Sequence, residues 1–252
     1  NQEMLNDCCD NLTFKCQDNS ITEIALQNAN LSGSLSKTLG EISSLEILNL
    51  STNQLTGSLP YSIGELNLLK TLYLYDNNIS GSIPSSIGNL SDLKKLFLHN
   101  NEITGKIPES IGDMKNLIDL NLGNNKISGN IPKSIGSLKS IEAISISYNS
   151  LTGKIPDSIG KLETLRTLNL ENNQLSSTIP ESLGDLKKLS TLYLNDNKLS
   201  GSIPSSFGNL SNIEDLYLNN NKLSGILPES LNKLTELHLL YVNDNENLYG
   251  YV

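Results

Sequence analysis

The sequence lacks tryptophan and contains only three cysteines, two histidines, nine tyrosines and three phenylalanines among 252 residues. Three cysteines are too few for the dense disulfide framework of a small secreted domain. The histidines, His99 and His238, stand 139 residues apart, and no histidine–cysteine spacing matches a zinc site. No run reaches the roughly 20 apolar residues that span a bilayer. The sequence therefore predicts neither a metal site nor direct membrane insertion.

Recognisable catalytic motifs are also missing. The sequence contains no G-x-S-x-G, Walker loop, G-x-G-x-x-G or H-E-x-x-H. The net charge of −9 repels a phosphate backbone, so a nucleic-acid partner is not expected. The same charge favours a cationic or neutral partner. We predict a protein that is not an enzyme and that carries no cofactor.

A single 24-residue period organises the chain. Most units read L-x-x-L-x-L-x-x-N, then L-x-G-x-I-P as in LTGSLP at 55–60, then SIGxL as in SIGEL at 62–66. Counted from a degenerate first turn at Ile21, there are ten units, of which the last is incomplete. The asparagines that end the first block, here called the ladder asparagines, are Asn53, Asn77, Asn101, Asn125, Asn149, Asn173, Asn197, Asn221 and Asn245.

This period predicts a mainly β solenoid. The x-L-x-L-x segment alternates with period two, which is typical of a short strand with leucines on one face. Stacked units pair these strands in a parallel sheet and pool the leucines into one core. The ladder asparagines would satisfy main-chain groups that the following turn leaves buried. Glycine and proline in the second block favour irregular or 3-10 turns on the convex side.

The three blocks together resemble the plant-specific class of leucine-rich repeats found in receptor-kinase ectodomains and polygalacturonase-inhibiting proteins. The resemblance covers residues 21–246. It implies a right-handed superhelix with a concave parallel sheet, a second small lateral sheet, and a secreted or cell-surface location. Residues 1–20 resemble the family's cysteine-containing N-terminal cap, and residues 21–252 form the predicted solenoid. Two departures are the missing cap tryptophan and Ser177, which replaces the glycine of the seventh unit.

The family's cap implies a disulfide between Cys9 and Cys16. Cys8 is then left without its family partner, so we expect the natural protein to begin upstream of Asn1. No C-terminal cysteine cap follows, which leaves the last repeat with an unprotected edge. Either truncation or homo-oligomerisation through that edge would explain it.

N-glycosylation sequons are frequent, although an Asn- and Ser-rich repeat also produces them by composition. A further sequon at Asn49 falls on the predicted concave face, where a glycan would obstruct binding. The candidate sites are Asn11, Asn30, Asn78, Asn89 and Asn209.

Aromatic residues gather at outward strand positions on the predicted concave face. Such residues mark interaction hot spots, although tyrosine and phenylalanine also favour exposed strand positions for pairing alone. The first group, here called the aromatic cluster, comprises Tyr73, Tyr75, Phe97 and His99. The second, here called the tyrosine ladder, comprises Tyr193, Tyr217 and Tyr241.

Acidic residues outnumber basic ones on the same predicted face, where Lys95 is the single lysine. This balance favours a cationic partner, although ordinary solubility charge would produce it as well. Asp76, Asp196 and Asp244 share one turn position, but they are mostly not in adjacent units, so solvated carboxylates are favoured over a calcium site. The acidic candidates for binding are Asp76, Asp119, Glu171, Asp196 and Asp215.

The function predicted from these residues is recognition of a protein or peptide on the concave face. Carbohydrate binding at the tyrosine ladder is one alternative, because aromatic rings stack on sugars. A structural, self-associating role is another. Ice binding is a weaker one, because the tyrosines interrupt a flat surface of Asn and Ser.

Overall fold

The computed structural model describes residues 13–18 and 20–250. Within these residues the regular structure consists of nineteen short β-strands and nine 3-10 helices. The strands are β1 (Phe14–Gln17), β2 (Ser20–Ala25), β3 (Ser32–Ser34), β4 (Ile47–Asn49), β5 (Gln54–Thr56), β6 (Thr71–Tyr73), β7 (Lys95–Phe97), β8 (Asp119–Asn121), β9 (Ser128–Asn130), β10 (Ala143–Ser145), β11 (Ser150–Gly153), β12 (Thr167–Asn169), β13 (Gln174–Thr178), β14 (Thr191–Tyr193), β15 (Lys198–Gly201), β16 (Asp215–Tyr217), β17 (Lys222–Ile226), β18 (Leu239–Tyr241) and β19 (Asn247–Tyr249).

The 3-10 helices lie one per repeat on the return path. They span Leu39–Glu41, Tyr61–Glu65, Ser85–Asn89, Glu109–Asp113, Lys133–Ser137, Asp157–Lys161, Glu181–Asp185, Ser205–Asn209 and Glu229–Lys233.

Ten parallel strands, one from each repeat, form the concave sheet in the order β2-β4-β6-β7-β8-β10-β12-β14-β16-β18. Each pair is in register at the 24-residue offset, so that Leu48 lies beside Leu72 and Leu72 beside Leu96. The antiparallel strand β1 pairs with β2 and adds an eleventh strand. The predicted fold class is confirmed.

A second sheet follows the L-x-G-x-I-P blocks, as the family resemblance implied. Strands β9, β11, β13, β15, β17 and β19 form one parallel ribbon, and β3 and β5 form a short one. Isolated bridges, Ser58 to Ser80 and Ser82 to Thr104, continue the pairing between the two ribbons.

The core is one continuous apolar column. Leucines of the strand block, such as Leu72 and Leu74, are fully buried, and so is Ile63 of the 3-10 turn. Each buried Leu or Ile contributes roughly 1.5–3 kcal/mol. A single repeat exposes these side chains on both flanks, so the stability resides in the contacts between repeats.

Proline and glycine shape the convex side. Pro60 precedes the second 3-10 helix with extended backbone (φ −70°, ψ 147°), and equivalent prolines precede the helices of the later repeats. Gly64 lies in that helix, where an added Cβ would stand 2.2 Å from the carbonyl oxygen of Ser86 in the next repeat. Glycine at this position is therefore required for the close stacking of neighbouring turns.

The ladder asparagines bond to the main chain of adjacent repeats. In Asn173, Nδ2 donates to the carbonyl oxygens of Ile146 (3.0 Å) and Leu170 (3.2 Å), and Oδ1 accepts from the N–H of Leu151 (2.9 Å). All nine asparagines repeat this pattern, so the amides form a column inside the solenoid.

The residue directly before each ladder asparagine adopts a left-handed conformation. Asp76, Asp196 and Asp244 each have φ of 55°. Asn and Asp tolerate this region better than other non-glycine residues because their short side chains bond locally. The shared aspartate position therefore has a conformational cause, which agrees with the interpretation as solvated turn carboxylates.

The predicted N-terminal disulfide and the predicted exposed edge lie at the two ends of the described chain. Cys16 lies in β1 and is disulfide-bonded. Its expected partner Cys9 lies outside the described residues, as does the sequon at Asn11, so both assignments stay predictions. At the other end, Leu239, Leu240 and Tyr241 in β18 are 37–44% exposed.

Replacing Asn173 with alanine should lower the free energy of unfolding by about 1–3 kcal/mol, because buried main-chain groups lose their partners. Chemical denaturation measures the change. Asn89→Ala removes an exposed asparagine and is the matched control, expected to shift stability by less than about 0.5 kcal/mol. Equal effects of the two substitutions would contradict the structural role of the ladder.

Ser177 has φ of 70°, where the corresponding glycines have φ between 72° and 90°. Ser177→Gly should raise the free energy of unfolding by about 0.5–1 kcal/mol, because relief of the strain exceeds the added entropy of the unfolded chain. The reverse change, Gly201→Ser, should destabilise, since its Cβ would stand 2.9 Å from Cγ2 of Thr178. Thermal or urea unfolding of both variants measures the signs; stabilisation by Gly201→Ser would contradict them.

Candidate recognition surface

The last residue of each of the ten parallel strands in the concave sheet points away from the core, and so does the residue two positions later. The alternation buries the intervening leucines and leaves these two rows facing outward. The aromatic cluster and the tyrosine ladder both lie in these two rows, as the sequence predicted.

The structure brings the aromatic cluster together as two stacked pairs. The rings of Tyr73 and Phe97 lie 4.9 Å apart at 29°, and those of Tyr75 and His99 lie 4.6 Å apart at 7°. Edge contacts of 6.0 Å between Tyr73 and Tyr75 and 5.9 Å between Phe97 and His99 join the pairs. Ring pairs of this kind contribute about 0.5–1.5 kcal/mol each beyond their buried area.

The tyrosine ladder is a continuous stack across three repeats. The ring centroids of Tyr193 and Tyr217 are 4.7 Å apart, and those of Tyr217 and Tyr241 are 4.8 Å apart. These distances equal the spacing of neighbouring strands, because the three tyrosines share one register. Tyr193 and Tyr217 are half-buried in the stack, and Tyr241 at its end is exposed.

His99 is half-buried, like the other three members of the aromatic cluster. Burial lowers the pKa of its imidazole, and the nearby charge of Asp76 opposes that effect in part. Its Nδ1 atom is buried without a hydrogen-bond partner among the described residues. The environment therefore favours the neutral ring.

Asparagines from the same and adjacent repeats hold the acidic residues of the turn side. Oδ1 of Asp76 accepts from Nδ2 of Asn100 (2.6 Å), and Oδ1 of Asp196 accepts from Nδ2 of Asn220 (2.8 Å). Asn195, which is 7% exposed, donates to Oδ2 of Asp196 (2.6 Å) and to Glu171 (3.2 Å). Reasoning from the sequence did not single out Asn195, whose surroundings become visible only when the repeats are stacked.

The other two acidic candidates stand at strand starts. Asp119 lies beside Lys95 across the β7–β8 pair; burial raises its pKa and the lysine lowers it. Burial raises the pKa of Tyr193 and of Tyr217; the charge of Asp215 raises both further, although for Tyr217 it ranks after the neighbouring Tyr193. The negative charge of Asp215 therefore acts directly on the tyrosine ladder.

The surface between the two aromatic groups is small and polar. Asn121, Ser145 and Asn169 continue the row of Tyr73, and Gly123 and Ser147 lie beside them. Oδ1 of Asn121 accepts from the N–H of Gly123 (3.1 Å), and its Nδ2 makes no hydrogen bond within the described residues. Nδ2 of Asn169 donates to Glu171 and the hydroxyls of Ser145 and Ser147 bond to each other, so Nδ2 of Asn121 is the amide donor of this strip that is left open for a ligand.

The predicted glycosylation sites Asn30, Asn78, Asn89 and Asn209 are all exposed, and their modification stays a prediction. Asn49 faces the concave side, where its Oδ1 accepts from the N–H and Oγ of Ser51.

A groove of about 930 Å³ lies away from both aromatic groups. Lys106, Lys133 and Lys154 line it together with three prolines, and Lys154 pairs with Asp157 at 2.9 Å. Its walls come from the L-x-G-x-I-P blocks and the 3-10 turns.

In the part of the chain that the structure describes, no three His, Cys, Asp or Glu side chains gather in a way that would hold a metal ion. None of the described helices combines the length and apolar character needed to cross a bilayer.

Comparison with known proteins identifies the family. A model described as "leucine-rich repeat region" matches residues 22–153 and 145–249. The chain belongs to the leucine-rich-repeat family. No curated protein is significantly similar to this leucine-rich-repeat chain.

Solved structures similar to this leucine-rich-repeat chain include plant receptors in complex with their ligands. The ectodomain of the Arabidopsis thaliana receptor kinase GASSHO1/SCHENGEN3, in complex with Casparian strip integrity factor 2, is 33% identical with a TM-score of 0.91. That match covers 97% of this chain and 30% of the receptor chain. The plant peptide hormone receptor RGFR1, in complex with RGF2, is 38% identical with a TM-score of 0.84, covering 88% of this chain and 35% of its own.

A plant ice-binding protein is also similar, at 25% identity and a TM-score of 0.69, with 98% of this chain and 89% of that chain covered. The chain thus spans about a third of the two receptor ectodomains and most of the ice-binding protein.

The imidazole of His99 should titrate below the ordinary value of about 6.5, as measured by NMR. Tyr75→Ala should move its pKa upward by removing the burial, and Asp76→Asn should move it further down. Because the folded pKa is lowered, stability should fall as the pH falls from about 6.5 through that pKa, and be regained above it. His99→Gln should remove this part of the pH dependence; an unchanged profile would contradict it.

Proposed function

We propose that this leucine-rich-repeat chain is a non-catalytic extracellular module that recognises a protein or peptide on its concave face. The observation that carries the proposal is the presence of two stacked aromatic groups, the aromatic cluster and the tyrosine ladder, on the solvent-facing side of the concave sheet. Stacking holds the rings in place before any ligand arrives, so binding costs little side-chain entropy. Rigid, half-exposed aromatic residues are also the side chains that dominate binding energy at protein interfaces.

The similar receptors support the proposal, since RGFR1 is a plant peptide hormone receptor in complex with RGF2, and the GASSHO1/SCHENGEN3 ectodomain is in complex with Casparian strip integrity factor 2. The small polar strip between the aromatic groups supports it as well, because the open Nδ2 donor of Asn121 can bond to a peptide backbone. The proposal includes an extracellular or cell-surface location and glycans at the exposed asparagines of the sequons.

Two finer alternatives concern the partner. A glycan could stack on the tyrosine ladder, since carbohydrate rings lie well against aromatic faces. A second copy of the chain could pair with strand β18, whose Leu239 and Tyr241 are exposed. A glycan array and light scattering over a range of concentrations distinguish these alternatives from peptide binding.

Ice binding is a second candidate function, favoured by the extensive overlap with the plant ice-binding protein. A row of hydroxyl residues one strand-spacing apart accompanies the second sheet. Its members are Thr56, Ser80, Thr104, Ser128, Thr152, Ser176, Ser200 and Ser224. Thermal hysteresis that disappears on replacing Thr104 and Thr152 with lysine would favour this function over peptide recognition.

Replacing Tyr73 and Tyr217 with alanine should weaken binding of a peptide partner at least about tenfold, because the tyrosine ladder loses its central ring and the aromatic cluster loses one ring of its Tyr73–Phe97 pair. Isothermal titration calorimetry measures the change. The control Tyr61→Ala removes an exposed tyrosine outside the concave sheet and should leave affinity unchanged. Unchanged affinity in the double variant would contradict the concave-face assignment.

A further inference from the structure

The charges around the tyrosine ladder are all of one sign. Asp215 stands on the strand-start side of the ladder, and Glu171, Asp196 and Asp244 stand on its turn side. At the outward strand positions and left-handed turn positions from Thr167 to Asp244, there is no lysine or arginine. Asp215 stands at the start of the strand next to that of Tyr193, and Glu171 stands beyond the end of the strand on its other side, so the two carboxylates flank the same ring. Burial raises the pKa of Tyr193, and these two charges raise it further.

The aromatic cluster has a different electrostatic character. Lys95 lies next to it and pairs across the strands with Asp119, so these two charges offset each other. Asp76 is the remaining carboxylate, and its oxygens accept from Asn100 and Thr52. The four rings therefore have less net charge around them than the tyrosine ladder has, and their faces offer aromatic contact area.

We infer, on the basis of the proposed function, that the concave face recognises a peptide at two points of different chemistry. A lysine or arginine side chain lies against the tyrosine ladder between Asp215 and Glu171, and an aromatic or apolar side chain lies on the aromatic cluster. The negative face of a tyrosine ring attracts a cation, and flanking carboxylates strengthen the attraction.

The repeat period fixes the distance between the two points. Phe97 and Tyr193 occupy the same position four repeats apart. At about 4.8 Å per strand the separation is about 19 Å. An extended peptide advances about 3.3 Å per residue, so the two anchor side chains stand about six residues apart.

The strip between the points suits the backbone of such a peptide. Nδ2 of Asn121 has free donor capacity, and Ser145 and Ser147 place hydroxyls beside it. Gly123 has no side chain to project from this part of the surface, and an added Cβ would lie 3.2 Å from Oγ of Ser147.

Panning a random dodecapeptide phage library tests both the inference and the proposed function. The protein as it stands and its Tyr73→Ala/Tyr217→Ala variant serve as parallel targets. Enrichment that depends on the tyrosines supports the proposed function. Among those peptides, we expect lysine or arginine about six residues from an aromatic or large apolar residue, in one sequence order or the other.

Synthetic versions of an enriched peptide then test the cation directly by titration calorimetry. Replacing its lysine or arginine with glutamate should weaken binding about tenfold or more, and higher salt should reduce the difference. In the Asp215→Asn/Glu171→Gln variant the difference should fall to about threefold or less. The control Asp157→Asn/Glu109→Gln removes two carboxylates from the lysine-lined groove and should retain the full difference.

The outcomes separate the two ideas. Tyrosine-dependent peptides without a basic residue at that spacing, or a charge preference that survives Asp215→Asn/Glu171→Gln, overturn the two-point inference and leave the proposed function standing. Absence of any tyrosine-dependent peptide overturns both.

Discussion

The stacking of one repeat on the next depends on main-chain groups that a leucine-lined coil cannot satisfy by itself. Each ladder asparagine bonds to carbonyl oxygens in its own repeat and in the preceding one, and accepts an N–H from the preceding turn. An unpaired buried group of this kind costs about 1–3 kcal/mol. Because nine asparagines occupy one register, the column fixes the depth and orientation of every coil. The regular rows of outward side chains on the concave sheet follow from this shared register.

Much of the architecture could be predicted from the sequence because the same pattern of residues occurs in nearly every 24-residue unit. The alternating leucines indicated the strands, and the spacing of the asparagines indicated the register. Proline before each SIG block explained why the return path is a 3-10 turn. What the sequence did not reveal was the left-handed conformation before each ladder asparagine. Aspartate at that position has a meaning only when the backbone angle is known.

The candidate surface was predictable in membership but not in arrangement. Placing Tyr73, Phe97 and Tyr217 in one outward row required only the period of two and the period of 24. The parallel stack of Tyr75 on His99 and the bonds from Asn195 to two carboxylates depend on side-chain orientation across repeats. No local pattern encodes those contacts, since the partners are 24 residues apart.

In a solenoid built in this way, the distance between two surface groups is a whole number of repeats. The aromatic cluster and the tyrosine ladder are rigid with respect to one another because every coil between them is locked to its neighbours. Loss or duplication of one complete coil would preserve all contacts at the new junction and move the two groups by one strand width. Changes in the length of a favoured ligand would thus arise in discrete steps, without any alteration to the side chains that touch it.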